Sequence, residues 1–229
     1  MKRVNVFGSG IAAAMVLGAM SITVPVSAGD VLWDQAPILD DANSFVDQNF
    51  SDFPDFSTFL VSDVVFGTPV IINSITTYYT NANNLWPQNA AGTATLNIFA
   101  DPLSGGDDPM AGASVVVNFV TSADGIAVTA SGLNIALGAG TYWIGLSPEL
   151  DFGAAGQEFH LEAAGVGANT QGRNPGGGFG LGLDWFDAGQ TFAQIDWDGA
   201  ITIIGVPAPG AMALLGIAGL AGTRRRRRK

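Results

Sequence analysis

The chain has 229 residues, enough for one compact domain with short extensions and too few for two ordinary domains. With 48% hydrophobic and 13% charged residues it is too apolar for a disordered chain, and its 31 glycines and 11 prolines follow no collagen repeat. Charge is segregated: residues 29–206 hold all 20 acidic residues against Arg173 alone, a net of −19, which excludes nucleic acid as a partner of the folded part and leaves divalent cations.

Residues 1–28 read as a secretory leader. Lys2 and Arg3 give a positive start, residues 11–20 an apolar core, and Val26-Ser27-Ala28 a small-residue site that predicts signal-peptidase cleavage between Ala28 and Gly29. Pro25 interrupts the apolar run, which is too short to span about 30 Å of hydrocarbon. The chain has no cysteine, so disulfides, thiolate zinc sites and thiol nucleophiles are excluded. Residues 29–56 are acidic, with Trp33, Phe45, Phe50, Phe53 and Phe56 at intervals, and are expected to form an irregular arm over the body, with room for a short helix.

Residues 57–205 alternate short β-rich runs with Gly, Asn, Asp and Pro clusters and hold no amphipathic helical period, which predicts an all-β antiparallel sandwich. Strands are expected over 58–66, 70–80, 93–100, 114–121, 126–130, 134–137, 141–147, 158–163, 191–197 and 200–206. Asp198-Gly199 has the chemistry of a two-residue type I′ hairpin, because both central positions need positive φ, and so predicts that the last two strands pair. Asp124-Gly125 carries the same signal ahead of residue 126. The runs Ser62-Asp63, Ile72-Asn73-Ser74-Ile75, Leu96-Asn97-Ile98-Phe99-Ala100-Asp101, Ser131-Gly132-Leu133 and Gly140-Thr141-Tyr142-Trp143-Ile144-Gly145 resemble the β-sandwich ectodomains of bacterial anchored surface proteins. That resemblance implies a jelly-roll-like fold and no catalytic residues.

The single histidine limits enzyme chemistry. Strand alternation places Glu158, His160 and Glu162 on one face, where two of them could serve one metal ion, although a wet strand face has the same pattern. No G-x-S-x-G elbow supports a nucleophilic serine, and twenty acids guarantee carboxylate pairs by chance. Asp101, Asp107 and Asp108, on a loop with Gly105 and Gly106, offer hard oxygen ligands for calcium without EF-hand spacing; no other cofactor is expected. The loop 172–182 is glycine-rich but lacks the Lys-Ser/Thr of a phosphate loop. With Phe179, Trp185 and Phe186 beside it, a sugar-stacking platform is one reading and core packing the other.

At the carboxy end, Val206, Pro207, Ala208, Pro209 and Gly210 precede an apolar run over 211–222, then Thr223 and the basic stop Arg224, Arg225, Arg226, Arg227, Arg228 and Lys229. The run, a short hydrophobic helix of about 18 Å, is a marginal anchor whose arginines hold the terminus on the cytoplasmic side. The order and spacing over 206–229 resemble the PEP-CTERM sorting signals of exported Gram-negative proteins, with Ala208 in place of the motif's glutamate. The resemblance implies a processing enzyme of the exosortase type, transient anchoring in the inner membrane, and a final place at the cell surface, outer membrane or extracellular matrix. The expected role is non-catalytic binding or matrix building, with extracellular polysaccharide as a partner class. A calcium-dependent carbohydrate-binding module and a carboxylate-dependent hydrolase stand as alternatives.

Overall fold

The computed structural model describes residues 29–39, 43–81, 90–100, 112–164, 169–192 and 197–208. The leader 1–28, the calcium candidates Asp101, Asp107 and Asp108, and residues 209–229 lie outside the described residues. In chain order the elements are β1 (Asp30–Gln35), β2 (Ser44–Val46), β3 (Asn49–Phe50), a 3-10 turn (Pro54–Phe56), β4 (Phe59–Phe66), β5 (Val70–Asn81), β6 (Ala91–Phe99), β7 (Gly112–Thr121) and β8 (Ala127–Leu137). They continue with β9 (Gly140–Leu150), α1 (Phe152–Ala155), β10 (Glu158–Leu161), β11 (Gln171–Arg173), β12 (Phe186–Asp187), α2 (Ala188–Thr191) and β13 (Ile201–Pro207).

The fold is an all-β sandwich made by one sheet curling on itself. The strand order is β1-β13-β5-β8-β7-β6-β9-β4-β11-β12. β7 and β8 pair only at Val120–Thr129 and Thr121–Val128, and beyond that corner they part into two layers. One layer is β1-β13-β5-β8 and the other β7-β6-β9-β4, so the chain crosses repeatedly between layers in the jelly-roll manner. Ladders are antiparallel except the short parallel pair β3–β9. The main core interleaves both layers: Ile72, Ile75 and Tyr79 of β5 and Ile203 of β13 meet Val64 of β4, Leu96 of β6 and Ile144 and Leu146 of β9. A smaller cluster of Val61, Phe99 and Trp185 covers the outer face of the second layer.

Period-two burial drives the pairing, and one bulge redirects it. On β5 the inward residues are Val70 and Ile72, then Ile75, Thr77 and Tyr79, and the change of parity falls where the register slips between Ile72 and Ser74. The expected strands 126–130 and 134–137 are one strand, β8, bent by Gly132 (φ 72°) and Asn134 (φ 55°). At the β7–β8 turn, Gly125 N donates to Ser122 O at 3.0 Å and Gly125 is left-handed (φ 77°) while Asp124 is not. The turn stands where expected but differs from type I′, which needs two positive φ values.

Two expectations fail. Residues 29–56 are not an irregular arm: Val31, Trp33, Asp34 and Gln35 of β1 pair with β13, β2 pairs with β10, and the helical piece is the single turn Pro54–Phe56. Asp198-Gly199 is not a hairpin. β13 lies between β1 and β5, Thr191 ends α2, and Gly199 has no positive φ. Residues 198–200 instead run beside β10, with Ala163 N donating to Asp198 O at 2.8 Å and Ala200 N to Leu161 O at 2.9 Å. The glycine is needed for space: a Cβ there would stand 2.6 Å from Ser62 Oγ and 3.0 Å from His160 Cε1.

Candidate functional site

Two regions at one pole of the sandwich compete for function, and the first is a buried polar seam. Asp47, fully buried between β2 and β3, accepts from Leu60 N at 3.2 Å and from the Tyr79 hydroxyl at 2.9 Å. Ser147 Oγ donates to Oδ1, the oxygen that also accepts from Leu60 N, and His160 Nδ1 lies 3.1 Å from Oδ2, which it shares with Tyr79. His160 Nε2 lies 2.9 Å from Ala200 O, so both ring nitrogens are occupied. Burial first, then the negative charge of Asp47, holds the Tyr79 hydroxyl well above its ordinary range.

Two more carboxyls extend the seam. Burial lifts Glu158 to about 8 against the hydrogen bond from Asn81, while its Oε2 has no partner among the described residues. Burial likewise lifts Asp198 to about 7; it accepts from Gln35 Nε2 at 2.7 Å and Thr170 Oγ1 at 2.8 Å. A carboxylate beside histidine, with serines near, has the parts of a catalytic site. Here each part is bonded to a buried neighbour, and Asp47, Ser147, His160 and Asp198 are all at most 1% exposed. The seam holds β2, β5, β9 and β10 in register.

The expectation of a wet face at Glu158, His160 and Glu162 is therefore corrected. Glu158 and His160 are buried and only Glu162 reaches solvent in part. Among the described residues no group of three or more His, Asp or Glu side chains converges to hold a metal ion.

The second region is open. Phe50, Phe53, Phe56, Phe152, Gln157 and Phe179 line a groove of about 250 Å³. On the far side of Phe179 a second groove of about 260 Å³ runs past Phe45, Phe159, Leu181, Phe186 and Phe192. Phe53, Phe56, Phe152 and Phe179 are each between 39% and 51% exposed. Each groove falls below the ~300–1,000 Å³ of an enclosed small-molecule pocket, and the two share Phe179 as a wall.

Local sequence explains how the rings are held out. Asp52 accepts from Phe152 N at 2.8 Å and Gly153 N at 3.2 Å, which ties the segment before the 3-10 turn to α1 and sets Phe53 edge-on to Phe152, 6.1 Å between centroids. The glycine-rich loop lies flat on that turn: a Cβ at Gly176 would come 2.3 Å from Asp55 Cα. Gly178 N donates to Asp55 O at 2.8 Å, Asn174 Nδ2 donates to Asp55 O and Ser57 O, and Asn174 Oδ1 accepts from Phe179 N. The loop thus presents Phe179 against Phe56, ring centroids 5.2 Å apart.

The three aromatics read from the sequence separate. Phe179 is an exposed groove ring and Phe186 a half-buried one, whereas Trp185 packs on Val61 and Phe99 in the core. Sequence reading passed over Phe152, Asp47, Ser147 and Thr170; the spacing of Phe50, Phe53 and Phe56 was the available signal for the groove. Of the sorting motif, Val206 pairs with Ile71, Pro207 is exposed opposite Val70, and Ala208 N donates to Pro69 O at 2.8 Å; Pro209 and Gly210 lie outside the described residues. Gly29 sits beside Gly205, so the first and last described residues leave the body at the same pole. Against known proteins, the chain matches no protein-family model, no curated protein and no solved structure.

Proposed function

We propose that the chain is an exported, non-catalytic surface or matrix protein of a Gram-negative bacterium, released from its leader at Ala28–Gly29 and sorted by the PEP-CTERM-like tail 206–229. Its body binds elongated extracellular polysaccharide through the phenylalanine grooves. The observation that carries this reading is polarity. β5 runs from Val70, beside the start of the tail, to Asn81, which donates to Ala155 O at 2.7 Å in the helix that bears Phe152. Its twelve residues separate the two ends by about 36 Å at ~3.3 Å per residue. Before processing, a body held by its tail therefore presents its exposed rings away from the membrane, and after processing the rings stay at the pole opposite the cut end, where they can stack on the CH faces of sugars.

The acidic body supports the same placement, since it repels anionic lipid and keeps an exported domain soluble. Intact mass spectrometry of the protein recovered from native envelope and medium tests the sorting. The expected species begins at Gly29 and ends between Pro207 and Gly210. A species that keeps Arg224 to Lys229 overturns processing and leaves a plain tail-anchored protein.

A further inference from the structure

The geometry points to a second copy of this chain as the partner of β7, paired edge to edge and antiparallel. β7 is ten residues long, its ladder to β6 is continuous from Gly112 to Val120, and it meets β8 only at Val120 and Thr121. From Gly112 to Phe119 the side facing away from β6 has no backbone partner among the described residues. Such an edge is a template for another strand, and folded proteins usually blunt it with charge, proline, a bulge or brevity.

Every other long or terminal edge among the described residues is blunted. β1 carries Asp30 and Asp34 and a register slip between Val31 and Trp33. β12 has two residues. β8 is bent by two left-handed residues, Gly132 and Asn134, and the part of β4 not covered by β11 carries Asp63. β7 has no charged residue, no proline and no left-handed residue, and exposes Val115 (47%), Val116 (69%) and Val120 (54%).

Charge selects the occupant. β6, β7 and β8 together contain no ionisable side chain, in a body of net charge −19. An ionic partner finds nothing to pair with on this strip, and two such acidic bodies can pair along it with no charged side chain on either paired strand. Antiparallel pairing of a strand with its own copy is generated by a twofold axis and closes on itself, so the product is a dimer with one sheet running β4-β9-β6-β7 into β7-β6-β9-β4 of the second copy. The inference goes beyond the sorting and glycan reading and does not depend on it.

Sedimentation equilibrium of the full chain in non-ionic detergent tests it. The expected result is a reversible dimer whose dissociation constant rises at least tenfold in Val116→Lys, which sets like charges close together across the axis, and is unmoved by Val65→Lys, an exposed position on β4. Ser114→Lys is a second variant should Val116→Lys disturb the fold, with an unchanged thermal midpoint as the check. A monomer at the highest soluble concentration, or a dimer indifferent to both β7 lysines, as association through residues 211–222 would be, overturns the proposal.

Discussion

The seam around Asp47 and the grooves around Phe179 lie at the same pole, yet they divide the chemistry of the protein in opposite ways. The seam gathers histidine, serine, tyrosine and three carboxyls and shuts them away from solvent; the grooves are lined mainly by phenylalanines, with no ionisable side chain among their lining residues, and are open. Among the described residues the reactive side chains and the exposed rings thus lie in different places. Buried polar groups that satisfy one another fix strand register, whereas exposed rings that cost free energy in water need a use.

The sharpest way to break that contrast is to remove its centre. Asp47 receives four hydrogen-bonding partners on four elements or connections, so Asp47→Ala takes one buried partner each from Tyr79, Ser147, His160 and Leu60 N at once. A loss of about 3–5 kcal/mol is expected, the usual cost of breaking a buried charged network. Chemical denaturation measures it. A loss under about 1 kcal/mol would mean the seam holds nothing in register and would reopen it as a site.

Next in size is Glu158→Gln. Folded Glu158 titrates at about 8 against 4.5 when free, so between those values the folded state keeps a proton that the unfolded chain has released. Its stabilising contribution is whole below pH 4.5 and is lost as pH rises toward 8. Glutamine imitates the neutral acid. The variant should match wild type near pH 4.5 and melt several degrees higher at pH 8.5, with Asp198, at about 7, sustaining the rest of the slope in both proteins. Parallel melting curves across this range would show that Glu158 is solvated.

The sequence made the sheet legible because period-two alternation and turn residues act locally. The strands on either side of Asp124-Gly125 and of Gly138 to Gly140 stand within a few residues of their expected places. What it concealed was long-range. β1 joins β13 across more than 160 residues, and nothing in Asp30–Gln35 says that its partner lies at the other end of the body. Asp198-Gly199 misled for a related reason: the pair has hairpin chemistry, but its aspartate is there for Gln35 and Thr170 and its glycine for the room that Ser62 and His160 require. Gly176 and Gly178 likewise serve close approach to Asp55, a contact with a residue more than a hundred positions away. Local signals report backbone conformation, and a glycine kept for space gives the same signal as one kept for φ.

The smallest expected effect on stability falls on the open side of the contrast. Phe179 divides the two grooves, is 39% exposed and packs mainly on Phe56, so Phe179→Ala should cost only about 1 kcal/mol. If the rings form a platform, the same change removes the shared wall of both grooves and retention on extracellular polysaccharide should fall at least tenfold, since each stacked ring contributes about 0.5–1.5 kcal/mol beyond its buried area. Affinity electrophoresis against a panel of polysaccharides, repeated with chelator, reads this directly. Loss of retention with the fold intact places binding on the phenylalanines. Retention that survives Phe179→Ala but vanishes with chelator would move it to Asp101, Asp107 and Asp108, and would make the exposed rings a surface for protein contact instead.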